Sequence, residues 1–177
     1  LMQSVRVTEK AREVRLLALD VDGVLTDGRL YFAEDGQEFK TFDTQDGHGI
    51  KMLQQVGIVV AIITGRTTKL VERRARNLGI AHLLQGREDK LVALRELSAE
   101  LNIPLDEMAY VGDDWPDLPA IRAAGFGVAV ANAHGEVRRH ADFVTMLKGG
   151  RGAVREVCDL ILRAQDRYDD ALAPYLE

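Results

Sequence analysis

Short, uninterrupted apolar runs that each stop at a polar or acidic residue constrain this chain more than any other feature. Leu16-Leu17-Ala18-Leu19 stops at Asp20, and Ile58-Val59-Val60-Ala61-Ile62-Ile63 stops at Thr64. Met108-Ala109-Tyr110-Val111 leads into Gly112-Asp113, and Gly127-Val128-Ala129-Val130 into Ala131-Asn132. Runs of this length without polar alternation fit strands buried on both faces, which is the environment of a parallel sheet covered by helices.

The intervening segments carry helical spacing. Leu70, Val71, Arg74, Ala75 and Leu78 share one face, and Gly79 is suited to end that helix. Leu91, Leu94, Leu97, Ser98 and Leu101 mark a second helix before Pro104, and Val154, Val157, Cys158, Ile161 and Leu162 a third. Strands alternating with helices predict an α/β fold, a three-layer, doubly wound parallel sheet joined by right-handed crossovers. At 177 residues the chain suits one domain over 1–177, with a weakly helical, partly mobile opening to about Val14. The tail, 166–177, is expected to prolong the last helix briefly and turn irregular at Pro174.

Residues 30–42 break the alternation. Leu30-Tyr31-Phe32-Ala33 and Glu38-Phe39-Lys40-Thr41-Phe42 flank Asp35-Gly36, the pattern of a β-hairpin. It is too small to cover an active site as a cap domain. Its aromatic side chains are costly on a lone monomer and point to an oligomer contact.

In open α/β sheets, ligands bind beyond the carboxyl ends of the strands. Here those ends present Asp20 and Asp22, then Thr64, Gly65 and Arg66, then Asp113 and Asp114, with Lys90 at the start of a helix. Acidic groups gathered at one edge repel each other unless a cation neutralises them. Hard oxygen donors with open positions suit magnesium, while His48, His82, His134 and His140 are too dispersed for a zinc site. Lys90 and the Thr64 hydroxyl supply the positive charge and hydrogen bond that a transferring phosphoryl group requires.

Asp20-Val21-Asp22-Gly23-Val24-Leu25-Thr26 resembles the first motif of the haloacid dehalogenase superfamily. Thr64 resembles its second motif, Lys90 its third, and Gly112-Asp113-Asp114 with Asp117 its fourth, all in the expected order. A D-x-D-G stretch also occurs in calcium loops, but the loop pattern ending in Glu is missing. The resemblance implies a phosphatase in which Asp20 is the nucleophile and Asp22 the acid and base. Thr64 and Lys90 hold phosphoryl oxygens. Mg2+ is bound by the Asp20 carboxylate, the Asp22 backbone carbonyl and Asp113, with Asp114 or Asp117 supporting Lys90 or metal waters.

A closer resemblance runs from about Leu16 to Gln165, through residues 20–28, 42–50 and 149–161. These are similar to the capless, tetrameric phosphatases of 3-deoxy-D-manno-octulosonate 8-phosphate, in which hairpins pack together and a neighbouring subunit helps close each site. This implies a phosphorylated sugar acid as substrate, met by Asp46, Gly47 and His48 together with Thr64, Gly65, Arg66 and Lys90. It gives Arg74, Lys51 and Arg151 possible contacts with substrate or a neighbouring subunit, and implies a homotetramer working in lipopolysaccharide precursor synthesis. His48 and the Trp115-Pro116 pair depart from the family pattern.

Two other readings remain open at this level. One is a phosphatase of a nine-carbon 2-keto sugar acid 9-phosphate, and the other a non-catalytic haloacid dehalogenase-like oligomerisation module. Composition sets outer limits. A net charge of −5 argues against a nucleic-acid partner, and no apolar run approaches membrane-spanning length. No signal-peptide core is seen, and the single cysteine, Cys158, allows no internal disulfide, so a soluble cytoplasmic protein is expected.

Overall fold

The computed structural model describes residues 2–177, beginning with helix α1 (Met2–Arg12) and strand β1 (Leu16–Leu19). A hairpin of β2 (Tyr31–Phe32) and β3 (Glu38–Phe39) follows, then α2 (Thr44–Gln55) and β4 (Val59–Ile63). Next come α3 (Lys69–Asn77), β5 (His82–Leu84), α4 (Lys90–Leu101) and β6 (Met108–Gly112). The remainder comprises α5 (Leu118–Ala123), β7 (Phe126–Ala129), α6 (Gly135–His140), β8 (Phe143–Val144), α7 (Ala153–Ala164) and α8 (Tyr168–Leu172).

The main sheet has six strands in the order β5-β4-β1-β6-β7-β8, all parallel. β1 lies between β4 and β6, with Leu17 in register with Val60 on one side and Ala109 on the other. Every residue of β1 is fully buried, as its unbroken apolar run requires. Helices α1 and α2 pack on α7 over one face, and α4 packs on α5 over the other. From β1 the chain winds outward first through β4 and β5, then through β6, β7 and β8. The crevice at the carboxyl end of β1 is therefore a topological switch point.

The short edge strands β5 and β8 lack the buried apolar run that marks the central strands. Helix α2 was also invisible to periodicity, since Gly47 and Gly49 lower helix propensity and only its second half is apolar. Packing explains its presence. A side chain at Gly49 would press on Arg155 and Cys158 of α7, so the glycine lets the two helices approach closely. The Asp43 side chain caps α2 by accepting from the Gln45 and Asp46 amides.

Both chain ends differ from expectation. The opening segment forms a full helix because Val7 and Ala11 are buried and α1 packs on α7. The tail does not prolong α7. Asp166 takes a left-handed φ of 57°, and the Arg167 amide donates back to the Leu162 carbonyl at 2.8 Å, closing α7 before α8 begins. Arg163 then stacks over the Tyr168 ring, 3.6 Å from its centroid. The hairpin is present but short, with Tyr31 opposite Phe39 and a turn through Gly36.

Candidate active site

Asp20 follows β1, and its amide donates to the Val111 carbonyl of β6 at 3.1 Å. The chain then folds tightly. The Leu25 and Thr26 amides both donate to the Val21 carbonyl, and the Thr26 hydroxyl accepts from the amides of Gly23 and Gly28 at 3.2 Å each. Gly23 has a φ of +86°, and a Cβ there would collide with the Asp113 carboxylate. Both facts require glycine at this point of the first motif.

Asp113 follows β6, Thr64 follows β4, and Lys90 is the first residue of α4. Asp117 lies just before α5 and organises the group. Its Oδ1 accepts from Lys90 Nζ at 2.9 Å and from the Tyr110 hydroxyl at 2.6 Å. Its Oδ2 accepts from the amides of Asp113 and Asp114 at 2.9 and 3.3 Å. Lys90 Nζ also lies 3.3 Å from Asp20 Oδ2.

Burial works against charge at this site. It pushes the Asp20 carboxyl well above the usual range, helped by the negative charge of Asp117 and opposed by Lys90. Asp113 is pushed up to about 7 by burial and by Asp117. For Asp117 burial acts in the same direction, but Lys90 and the hydrogen bonds from Tyr110 and the Asp113 amide outweigh it and hold the carboxyl below its ordinary value. Lys90 shows the mirror image, with burial outweighed by Asp20 and Asp117, so its ammonium is favoured. The buried Tyr110 hydroxyl is pushed well up by burial and Asp117, and stays a donor.

Oxygens of Asp20, Asp113 and Asp117 lie within 4.8 Å of one another. Both Asp117 oxygens are already occupied by donors, which leaves Asp20 and Asp113 as carboxylates available to an ion. Two acids raised by burial and by neighbouring carboxylates, Asp117 foremost, gain from a divalent cation, and an all-oxygen donor set fits Mg2+. The Asp22 carboxylate is turned elsewhere, toward Lys40 Nζ at 2.6 Å.

A cleft of about 300 Å³ brings together Asp20, Asp22, Thr64, Gly65, Arg66, Lys90 and Asp113. Asp46, Gly47 and His48 lie elsewhere, on α2. Asp46 is 1% exposed and accepts from the Arg155 amide, and Gly47 faces Arg74. His48 meets the Tyr175 ring edge-on at 5.6 Å in a separate cavity of about 240 Å³. Within this chain, then, the expected second group of substrate contacts is not part of the cleft. Arg74 is also turned away, donating to the Asp43 carbonyl and lying over Phe42.

Sequence reasoning missed Lys40 and Tyr110, along with Asn132, which joins two loops by donating to the Gly23 carbonyl and accepting from the Gly149 amide. Period-two alternation in the hairpin was the available signal for Lys40, because it puts Glu38 and Lys40 on the face opposite Phe39.

The profile of haloacid dehalogenase-like hydrolases matches residues 79–156. A Yersinia pestis protein, 3-deoxy-D-manno-octulosonate 8-phosphate phosphatase KdsC, is 53% identical over 165 residues, covering 93% of this chain and 88% of that protein. The crystal structure of a probable YrbI family phosphatase from Pseudomonas syringae superposes with a TM-score of 0.96 at 57% identity, covering 98% of each chain. The 3-deoxy-D-manno-octulosonate 8-phosphate phosphatase of Moraxella catarrhalis, solved with magnesium, phosphate and KDO, superposes with a TM-score of 0.94 at 49% identity, covering 96% of this chain and 97% of that one. With its strand-end acids, Thr64 and Lys90 gathered on one cleft and relatives this similar over nearly its whole length, the chain belongs to the haloacid dehalogenase-like hydrolases, in the family of 3-deoxy-D-manno-octulosonate 8-phosphate phosphatases.

Proposed function

We propose that the protein hydrolyses 3-deoxy-D-manno-octulosonate 8-phosphate to the free sugar acid and phosphate. The observation that carries this reading is the convergence of Asp20, Asp22, Thr64, Lys90 and Asp113 on one cleft, in a chain 53% identical to a phosphatase of that substrate.

In this reading Asp20 attacks phosphorus and forms an aspartyl-phosphate as the bond to the sugar oxygen breaks. Asp22 gives its proton to the leaving alkoxide, then takes one from the water that attacks the aspartyl-phosphate and frees Asp20. Lys90, kept as an ammonium by Asp20 and Asp117, holds phosphoryl oxygens together with Thr64. Asp117 positions Lys90 and, through two amides, the start of the Asp113 loop. Asp20, the Asp22 carbonyl and Asp113 would hold Mg2+, which supplies positive charge to the gathered acids and to the phosphoryl oxygens. Gly65 and Arg66, which line the same cleft, would face the rest of the substrate.

The whole of 1–177 then serves as one catalytic domain, with the hairpin at 30–42 as its oligomer contact. Phe32 and Phe39 are 63% and 55% exposed, and their burial in a homotetramer accounts for an apolar surface that a monomer would leave wet. That assembly is also what would bring residues from a neighbour, such as Arg151, to an otherwise open cleft. No helix among the described residues is long and apolar enough to cross a membrane. A cytoplasmic place in lipopolysaccharide precursor synthesis follows from the substrate.

Phosphate release from 3-deoxy-D-manno-octulosonate 8-phosphate, with Mg2+ and with chelator, tests this directly beside an Asp20→Asn control. Fast, Mg2+-dependent release that the control loses is the expected result. Preference for a nine-carbon 9-phosphate would move the substrate assignment and leave the chemistry standing. Absence of turnover on any phosphate ester would favour a non-catalytic module.

A further inference from the structure

Lys40 comes one residue after β3, in a hairpin whose other exposed features point toward oligomer contact. Its side chain is nonetheless only 1% exposed. Nζ lies 2.6 Å from Asp22 Oδ1 and 3.4 Å from Glu38 Oε1. Arg66, from the loop after β4, lies 2.9 Å from the same Glu38 oxygen and 3.9 Å from Asp22 Oδ2. An ammonium this buried is tolerated only when paired, so these contacts fix the position of the lysine and of the carboxylate together.

We propose that Lys40 is a positioning residue that sets the Asp22 carboxyl for proton transfer. The inference rests on the reading of Asp22 as acid and base. Asp22 sits on a loop beyond the sheet edge with its side chain 24% exposed, and both of its carboxylate oxygens find basic partners outside its own loop. Lys40 grips Oδ1 and leaves Oδ2 toward Arg66, a residue of the cleft wall. Lys40 exchanges no proton in this scheme. In the first step the Asp22 proton moves to the alkoxide oxygen as the phosphorus–oxygen bond breaks and the Asp20–phosphorus bond forms. In the second, a water proton returns to Asp22 as the water oxygen bonds phosphorus and the aspartyl bond breaks.

The consequence depends on the leaving group. A sugar alkoxide needs the proton as it departs, whereas p-nitrophenolate is stable without one. The ratio kcat/KM isolates this first phosphoryl transfer from the later hydrolysis of the aspartyl-phosphate.

Four proteins decide the matter: Lys40→Met, Lys40→Arg, Asp22→Asn and the double variant Lys40→Met/Asp22→Asn, each checked for melting temperature and solution mass. With Lys40→Met, kcat/KM is expected to fall about 10²-fold on the sugar phosphate. The loss on p-nitrophenyl phosphate is expected to be at least about tenfold smaller, with Lys40→Arg recovering most of the difference. In the Asp22→Asn background, removing Lys40 should cost nothing further, as expected of residues that act through one another. Equal losses on both substrates, or a loss that persists without Asp22, would overturn the proposal in favour of a structural or substrate-binding lysine. If Asp22→Asn itself shows no dependence on the leaving group, the acid role of Asp22 has failed, a result distinguishable from failure of Lys40 alone.

Discussion

The backbone amide of Arg155 donates to Asp46 Oδ1 at 2.8 Å, tying α7 to α2 through an aspartate that is 1% exposed. Its Oδ2 has no partner. Burial, which outweighs this bond and the charges of Arg74 and Arg155, raises the Asp46 carboxyl from 3.8 to about 6, with Asp43 adding to the rise. The folded state therefore favours protonated Asp46. Its contribution is fully present below the unfolded value near 4 and is lost as pH climbs through about 6, a change of up to about 3 kcal/mol. Asp46→Asn should remove this dependence. Urea unfolding from pH 4 to 7 is expected to show the variant gaining stability relative to the parent as pH rises, and parallel profiles would refute it.

Removing Asp117 should damage both stability and turnover. Its carboxylate is the shared acceptor for Lys90 and Tyr110, both buried. Asp117→Ala strands the Tyr110 hydroxyl and leaves the Lys90 ammonium only its 3.3 Å contact with Asp20, at a cost of about 3–5 kcal/mol. Tyr110→Phe deletes one donor and should cost only about 1–2 kcal/mol. Denaturant midpoints for the two variants give the comparison, and equal effects would show that Asp20 alone suffices to hold the Lys90 charge.

Gly23→Ala should weaken metal binding while leaving the sheet intact. The added methyl group lands on the Asp113 carboxylate and the residue must hold a φ of +86°. A loss of Mg2+ affinity of about 10–100-fold is expected, read as a shift in the metal dependence of phosphate release. An unchanged Mg2+ requirement would mean that Asp113 relaxes freely.

Mg2+ should also stabilise the fold. At a concentration about a hundredfold above its dissociation constant, an ion bound only to the folded state adds about 2.7 kcal/mol. Melting temperature should therefore rise with Mg2+ and fall back with chelator. The response should vanish in Asp113→Asn, whose own melting point without metal should be no lower than the parent's, because a carboxyl raised by burial to about 7 has been neutralised.

The hairpin prediction concerns assembly. Phe32→Glu with Phe39→Lys places charges where the proposed subunit contact needs apolar surface. Sedimentation of this variant should show a smaller species than the parent, with the far-ultraviolet circular dichroism unchanged. A parent that is itself monomeric would end the tetramer reading.

Much of this site was legible because its residues terminate buried strands. Asp20, Thr64 and Asp113 each follow an apolar run, and a parallel sheet must bring neighbouring strand ends to one edge. For Lys40 the alternation gives only its face of the hairpin, since nothing local says where a short hairpin will lie. Tyr110 read as one more apolar strand residue, although its hydroxyl reaches Asp117. Asp46 and His48 are expected on a different ground. The family resemblance alone puts them at the substrate, whereas within this chain they lie on α2, where Gly49 lets that helix approach α7 closely.

The position of β1 at the centre of the sheet also dictates when the protein can become an enzyme during its synthesis. The residue proposed as nucleophile is synthesised well before β6, Asp113 and Asp117, which must join it at one cleft. Gly149 must then pack beneath the Gly23 turn. An incomplete chain that stops before these segments holds an aspartate without Asp113, its second acid, and without Asp117, the acceptor that holds Lys90 in place. Such long-range pairings delay folding, and they also ensure that no nascent fragment has a finished catalytic centre.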